Sequence, residues 1–189
     1  MKSDIERYVE AAQPEFETKL REWVEIPTIS AEPEHKPDIE RGAQTAVEYL
    51  RSLGAEAEAV PTDGNPVVIG KFITGRGRPT VTIYNHLDVQ PANEPQWQHA
   101  PFIFHKDGNR YIGRGSTDDK GPALTALFGA RYALEQGTPI NIQFIWELEE
   151  EIGSPNFEQF MKSRAKDLTT QSVAVSDTIW IARGRPAVA

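Results

Sequence analysis

Ile5, Val9, Phe16, Leu20 and Val24 recur near helical spacing on a charged background, and Pro27 follows. The pattern predicts a first helix ending near Glu25. A second predicted helix spans 37–53, with Ala43, Ala46, Val47 and Leu50 on one face and Gly54 as its stop. The period then shortens. Residues 55–60, 67–72 and 80–84 read as strands, the last (VTIY) leading directly into His86. A loop over 91–101 follows, and short strands at 102–105 and 110–112 flank a turn at Lys106-Asp107-Gly108-Asn109. Ala123, Leu124, Leu127, Ala130 and Leu134 predict a closely packed helix over 120–136, closed by Gly137. A strand over 140–146, a helix over 156–165, a strand over 172–175 and an apolar segment over 179–182 complete the chain. Strands alternating with helices predict one α/β domain. There is no internal repeat, low-complexity tract or dividing linker.

Composition narrows the function more than the fold. The chain has 189 residues, 39% hydrophobic and 25% charged, an ordinary balance for a folded domain. A net charge of -8 argues against nucleic acid or an anionic membrane as the main partner, because such a surface repels both. The absence of cysteine removes disulfides, thiolate nucleophiles and Cys-ligated zinc together, so a transition metal must bind through His, Asp and Glu. The N-terminus, MKSDIERYVEAAQ, has no apolar core for a signal peptide, and no run is long enough to span a bilayer. A cytoplasmic location is the expectation.

Chemistry-bearing residues gather at predicted strand ends, where α/β sheets bind their ligands. His86 and Asp88 stand two apart, on one side if the extended geometry continues. A metal-bound imidazole commonly has an acceptor on its other ring nitrogen, a role open to Asp88. Taken alone, His86 reads more readily as a buried histidine capping a strand end than as a ligand. His35, His99 and His105 lack a neighbouring carboxylate pattern and read as structural or surface residues.

In Gly113-Arg114-Gly115-Ser116-Thr117-Asp118-Asp119-Lys120-Gly121-Pro122, glycines flank paired aspartates and let the backbone turn tightly. The stretch lacks the phosphate-loop and dinucleotide patterns, and its adjacent aspartates lack the alternation of a calcium loop. One aspartate is expected to open the following helix, leaving the other free for a metal. In WELEEEIGSP, Glu147, Glu149, Glu150 and Glu151 crowd the end of the apolar strand. Glu149 reads as a solvated strand-end residue. Such neighbours repel one another unless a cation offsets them.

HLDVQP at 86–91, GRGSTDDKGP at 113–122, EEIGS at 150–154 and SDTIWIARGRP at 176–186 occur in that order. Together they resemble the di-zinc metallopeptidase family that includes carnosine-type dipeptidases, carboxypeptidase G, aminoacylase-1, acetylornithine deacetylase and succinyl-diaminopimelate desuccinylase. The GSTDDKGP and SDTIW forms are most similar to the dipeptidase branch. The resemblance implies a three-layer sandwich with a mostly parallel, mixed sheet between helices, and two divalent ions, zinc first, with manganese or cobalt as alternatives. It makes His86 and Asp177 ligands of one ion, Asp118 the bridge, Glu151 a ligand of the second ion, Glu150 the general base and Asp88 a catalytic support. It also implies a cis Asp118–Asp119 bond.

The family completes its second metal site with a downstream histidine and binds substrate partly through a lid domain, and neither falls within these residues. The expectation is therefore a catalytic domain cut short at its C-terminus, weakly active or inactive alone, with an exposed core edge open to self-association. Its substrate is expected to be a small peptide or an N-acyl amino acid. Two alternatives stay open: a deacetylase or desuccinylase using the same centre, and a non-catalytic metal-binding or interaction fragment.

Overall fold

The computed structural model describes residues 2–177, 180–182 and 185–186. Helix α1 (Asp4–Val24) opens with a capping box, in which the Ser3 hydroxyl accepts from the Glu6 N–H and the Glu6 carboxylate accepts from the Ser3 N–H. Helix α2 (Lys36–Ser52) leads to strands β1 (Glu56–Val60), β2 (Val67–Phe72) and β3 (Thr80–His86). The hairpin β4 (His105–Asp107) and β5 (Arg110–Ile112) precedes α3 (Lys120–Glu135), β6 (Asn141–Glu147), α4 (Phe157–Arg164) and β7 (Ser172–Val175). A two-stranded pair, β8 (Trp180–Ala182) and β9 (Arg185–Pro186), follows; of the predicted segment 179–182, position 179 lies outside the described residues.

The main sheet has the order β1-β2-β6-β3-β7. Strand β2 runs antiparallel to both neighbours, whereas β3 is parallel to β6 and β7, so the sheet is mixed. Alternation along the strands sends Val68, Phe72, Ile142, Phe144 and Trp146 into one core with α1, α2 and α3. Val67, Ile69 and Ile145 form a smaller core on the opposite face with Phe160 of α4. This is the three-layer arrangement the sequence implied. All seven residues of β6 are buried, as a central strand covered on both faces should be. Trp146 sits edge-on to Trp23 at 5.4 Å, tying the end of α1 to the middle of the sheet. Among the described residues, no helix is long and apolar enough to cross a membrane.

The predicted strand at 102–105 is corrected: pairing begins at His105, which faces Ile112, and the turn shrinks to Gly108-Asn109. Phe104 is buried at the main core without being in a strand, so its apolar character reported packing and not extension.

The topology fixes where a site can form. From β3 the chain crosses through α3 on one face to β6, and from β6 through α4 on the other face to β7, on the far side of β3. The strand order reverses at β3, and the carboxyl ends of β6, β3 and β7 meet where sheets of this kind form their ligand crevice.

Candidate metal centre

His86 ends β3, Asp177 follows β7, and Glu150 and Glu151 begin a short 3-10 turn (Glu150–Ile152) just after β6. Asp118 reaches the same crevice from the loop before α3. Ligand atoms of His86, Asp118 and Asp177 all lie within 4.8 Å of one another. His86 Nε2 is 2.9 Å from Asp118 Oδ1 and 3.8 Å from Glu150 Oε2. The Glu151 carboxylate accepts a hydrogen bond from Gln90 Nε2 at 2.7 Å.

Local sequence explains this presentation. A Cβ on Gly121 would lie 2.0 Å from the Ser116 carbonyl oxygen, so only glycine lets the loop fold back on the first turn of α3. Gly115 has φ +87, a left-handed conformation that also favours glycine. The Asp118–Asp119 peptide bond is cis. The two carboxylates part: Asp119 turns inward, accepting from Asn85 Nδ2 at 2.8 Å and from the His86 N–H at 3.1 Å. It stands at the N-cap position of α3, yet its side chain makes no capping bond; it braces the end of β3 and leaves Asp118 to the crevice.

Lys120 anchors the loop from below. Its buried Nζ donates to the carbonyls of Trp23, in the last turn of α1, and Ile26, just past it, at 2.9 and 2.7 Å. Burial pushes its pKa down to about 7 from an ordinary 10.5, against the opposing pull of Asp88. Between those values the unfolded chain holds a proton that the folded chain lacks, so this group makes stability rise with pH across that window. Lys120→Met is expected to flatten the rise, measured as urea unfolding at pH 7 and pH 9. Parallel pH dependences in the two proteins would refute the assignment.

The Asp88 carboxylate does something the sequence did not reveal. His86 Nδ1 lies 3.1 Å from the main-chain carbonyl of Asp88 and 3.4 Å from its Oδ1. A carbonyl can only accept, so Nδ1 carries the proton and Nε2 is left to face a ligand. The carboxylate itself accepts from Ser30 Oγ at 2.6 Å and from the N–H groups of Glu150 and Glu151 at 3.2 and 3.0 Å. One buried residue thus orients the imidazole through its backbone and clamps the glutamate turn through its side chain.

The electrostatics suit a cation. Burial, with the neighbouring carboxylates, pushes both Glu150 and Glu151 above the usual range. Burial opposes charge on His86, but the Asp118 and Asp88 carboxylates outweigh it and raise its pKa to about 11. One imidazole among carboxylate oxygens, with no thiolate, is a donor set for Zn²⁺, Mn²⁺ or Co²⁺.

Of the six residues expected at the site, the structure gathers His86, Asp118 and Asp177 as one ligand group, sets Glu150 beside it, holds Glu151 on Gln90, and buries Asp88 beneath. The reading of Glu149 as solvated is corrected: the strand ends at Glu147, the chain turns, and Glu149 is only 5% exposed. His35, expected to lack carboxylate neighbours, bonds Asp38 at 2.8 Å, and His99 stacks on His105 at 3.9 Å; neither group is part of the centre. Sequence reasoning passed over Gln90, although alternation through HLDVQP places it in line with His86 and Asp88. It also missed Glu147, whose buried carboxylate accepts from the Tyr84 hydroxyl and from Ser154 Oγ.

The model of peptidase family M20/M25/M40 matches residues 82–181. The β-Ala-His dipeptidase of Homo sapiens is 34% identical over 96% of the chain, and the Cys-Gly metallodipeptidase of Schizosaccharomyces pombe is 33% identical over 94%. The crystal structure of human carnosine dipeptidase 1 superposes with a TM-score of 0.82 at 33% identity, covering 93% of this chain. The chain spans about two fifths of the length of these relatives, 39% and 41% of the two sequences and 41% of the crystallised chain.

Proposed function

The chain belongs to peptidase family M20/M25/M40, and from that premise we propose that it carries the metal-binding and proton-transfer part of a metal-dependent dipeptidase. The observation that carries this reading is the ligand group His86, Asp118 and Asp177 with Glu150 Oε2 beside it, at the point where the strand order reverses. In this reading His86, Asp118 and Asp177 would hold one divalent ion, zinc first, and Glu151 with Asp118 would hold a second. When bound, the ions act as Lewis acids on the scissile carbonyl and make water easier to deprotonate.

The chain's own groups supply the rest. Glu150 Oε2 takes the proton of the attacking water and passes it to the leaving amine. The Asp88 carboxylate holds the Glu150 and Glu151 N–H groups, so base and ligand keep a fixed separation. Gln90 orients the Glu151 carboxylate. The substrates are small dipeptides, of the kind named for the relatives.

Zinc titration of the chain by competition with a chromogenic chelator tests the reading, followed by hydrolysis of β-Ala-His and Cys-Gly in the longest protein that carries these residues. Saturable binding that His86→Ala abolishes is expected. A chain that binds no divalent metal, or binds it equally well without His86, defeats the proposal.

A further inference from the structure

Glu149 is the one member of the triple glutamate that faces away from the crevice, yet it is buried. Its Oε1 accepts from the Asn65 N–H at 2.6 Å and from Asn156 Nδ2 at 3.2 Å. Its Oε2 accepts from the Asn156 N–H at 3.3 Å and from Asn156 Nδ2 at 3.0 Å. Both oxygens are therefore met only by donors. The loop that brings these donors is tied down in turn: Asn65 Nδ2 donates to the Leu148 carbonyl at 2.9 Å, and Lys36 Nζ of α2 donates to the Gly64 carbonyl at 2.7 Å. Approach this close requires glycine at position 64, where a Cβ would lie 1.8 Å from Glu149 Oε1 and 2.4 Å from Asn156 Nδ2.

We propose that Glu149 is a positioning residue, fixing from behind, through Asn65 and Asn156, the turn that presents Glu150 and Glu151 to the metal centre. The turn is otherwise held from the crevice side, by the Asp88 carboxylate and by Gln90 Nε2, which donates to the Glu151 carbonyl at 3.0 Å. Glu149 closes it from the other side, because the Glu149 carbonyl accepts from Ser154 N at 2.8 Å and from Ile152 N at 3.3 Å, while its side chain is locked to two separate segments. Rotation of the turn about its long axis then requires breaking one clamp or the other. The requirement is for an acceptor on both oxygens: in Glu149→Gln, either orientation of the amide sets its NH₂ against an N–H donor. The inference rests on the reading of Glu151 as a metal ligand.

The test is the affinity of the chain for Zn²⁺ alone, measured beside its melting temperature, in Glu149→Gln, Glu151→Gln and Glu149→Gln/Asn156→Asp. Glu149→Gln is expected to weaken zinc binding about 10-fold, the size of an outer-sphere loss. The double variant is expected to recover part of this, since the amide introduced at position 149 can accept from the Asn65 N–H and donate to the carboxylate introduced at position 156, while the main-chain N–H of residue 156 still meets its NH₂. Unchanged affinity in Glu149→Gln beside a loss in Glu151→Gln overturns the positioning role, even if the melting temperature falls. Unchanged affinity in both single variants overturns the ligand reading and this inference with it. Should Glu149→Gln fail to fold, Gly64→Ala carries the same test, because its added methyl presses on the Glu149 carboxylate and on Asn156 Nδ2, the two partners of the clamp. Its expected result is again about 10-fold weaker zinc binding, and wild-type affinity there overturns the role.

Discussion

Glu150→Gln is expected to lower kcat for dipeptide hydrolysis by about 10²–10⁴-fold, the usual contribution of a positioned general base, while leaving zinc affinity nearly unchanged. The split follows from the proposed roles. Glu150 lies beside the ligand group, 3.8 Å from His86 Nε2, in the position of the base, and Glu151 is proposed to hold the second ion. Glutamine preserves shape and removes only the capacity to accept a full proton. Glu151→Gln is expected to do the converse and weaken metal binding first. The measurement is kcat against zinc affinity in both variants, in the longest protein that carries these residues. If Glu150→Gln keeps its activity, the base lies elsewhere and the register assigned to the triple glutamate is wrong.

The turn that carries these residues was legible in the sequence because Gly153 and Ser154 mark it, and the structure gives them φ of +85 and +52. What the sequence concealed was the far side of each contact. Alternation along β6 separates Phe144, Trp146 and Leu148 from Glu147, but it cannot tell that the strand stops there, because the stop depends on Asp88, Asn65 and Asn156. Asp88 is contributed from 62 and 63 residues away from the two N–H groups it holds. Helices α1 and α2 were legible for the opposite reason, since their apolar stripes are local and face a core that accepts any well-spaced set of Leu, Val and Ala. Strand 102–105 was misplaced because Phe104 packs on the core from a loop, and burial without periodicity imitates a short strand. The chemistry of HLDVQP and GRGSTDDKGP was visible as residue types, whereas the division of labour between Asp118 and Asp119 depends on Asn85 and the His86 N–H at the end of another element.

The second large effect is expected at Asp88, where a role confined to the imidazole and a role as a clamp predict different outcomes. Were Asp88 only an acceptor for His86, Asp88→Asn would change little, since Nδ1 already has the Asp88 main-chain carbonyl at 3.1 Å and the backbone is retained. The carboxylate, however, is fully buried and meets three donors, the Glu150 N–H, the Glu151 N–H and the Ser30 hydroxyl. An asparagine can satisfy Ser30, whose hydroxyl can turn to accept. It cannot satisfy both backbone groups, because its NH₂ must face one of them. One buried donor is then orphaned, at a cost of about 1–3 kcal/mol. The turn gives way on the side that carries either the base or the ligand. Asp88→Asn is therefore expected to lower unfolding stability by that amount and to weaken zinc binding about 10–100-fold. Ser30→Ala, which removes one donor and orphans none, is expected to change both far less. Stability by urea unfolding and affinity by zinc competition, measured on the same three proteins, separate the two roles. A stable Asp88→Asn with intact zinc binding would leave the imidazole contact as the whole of its function.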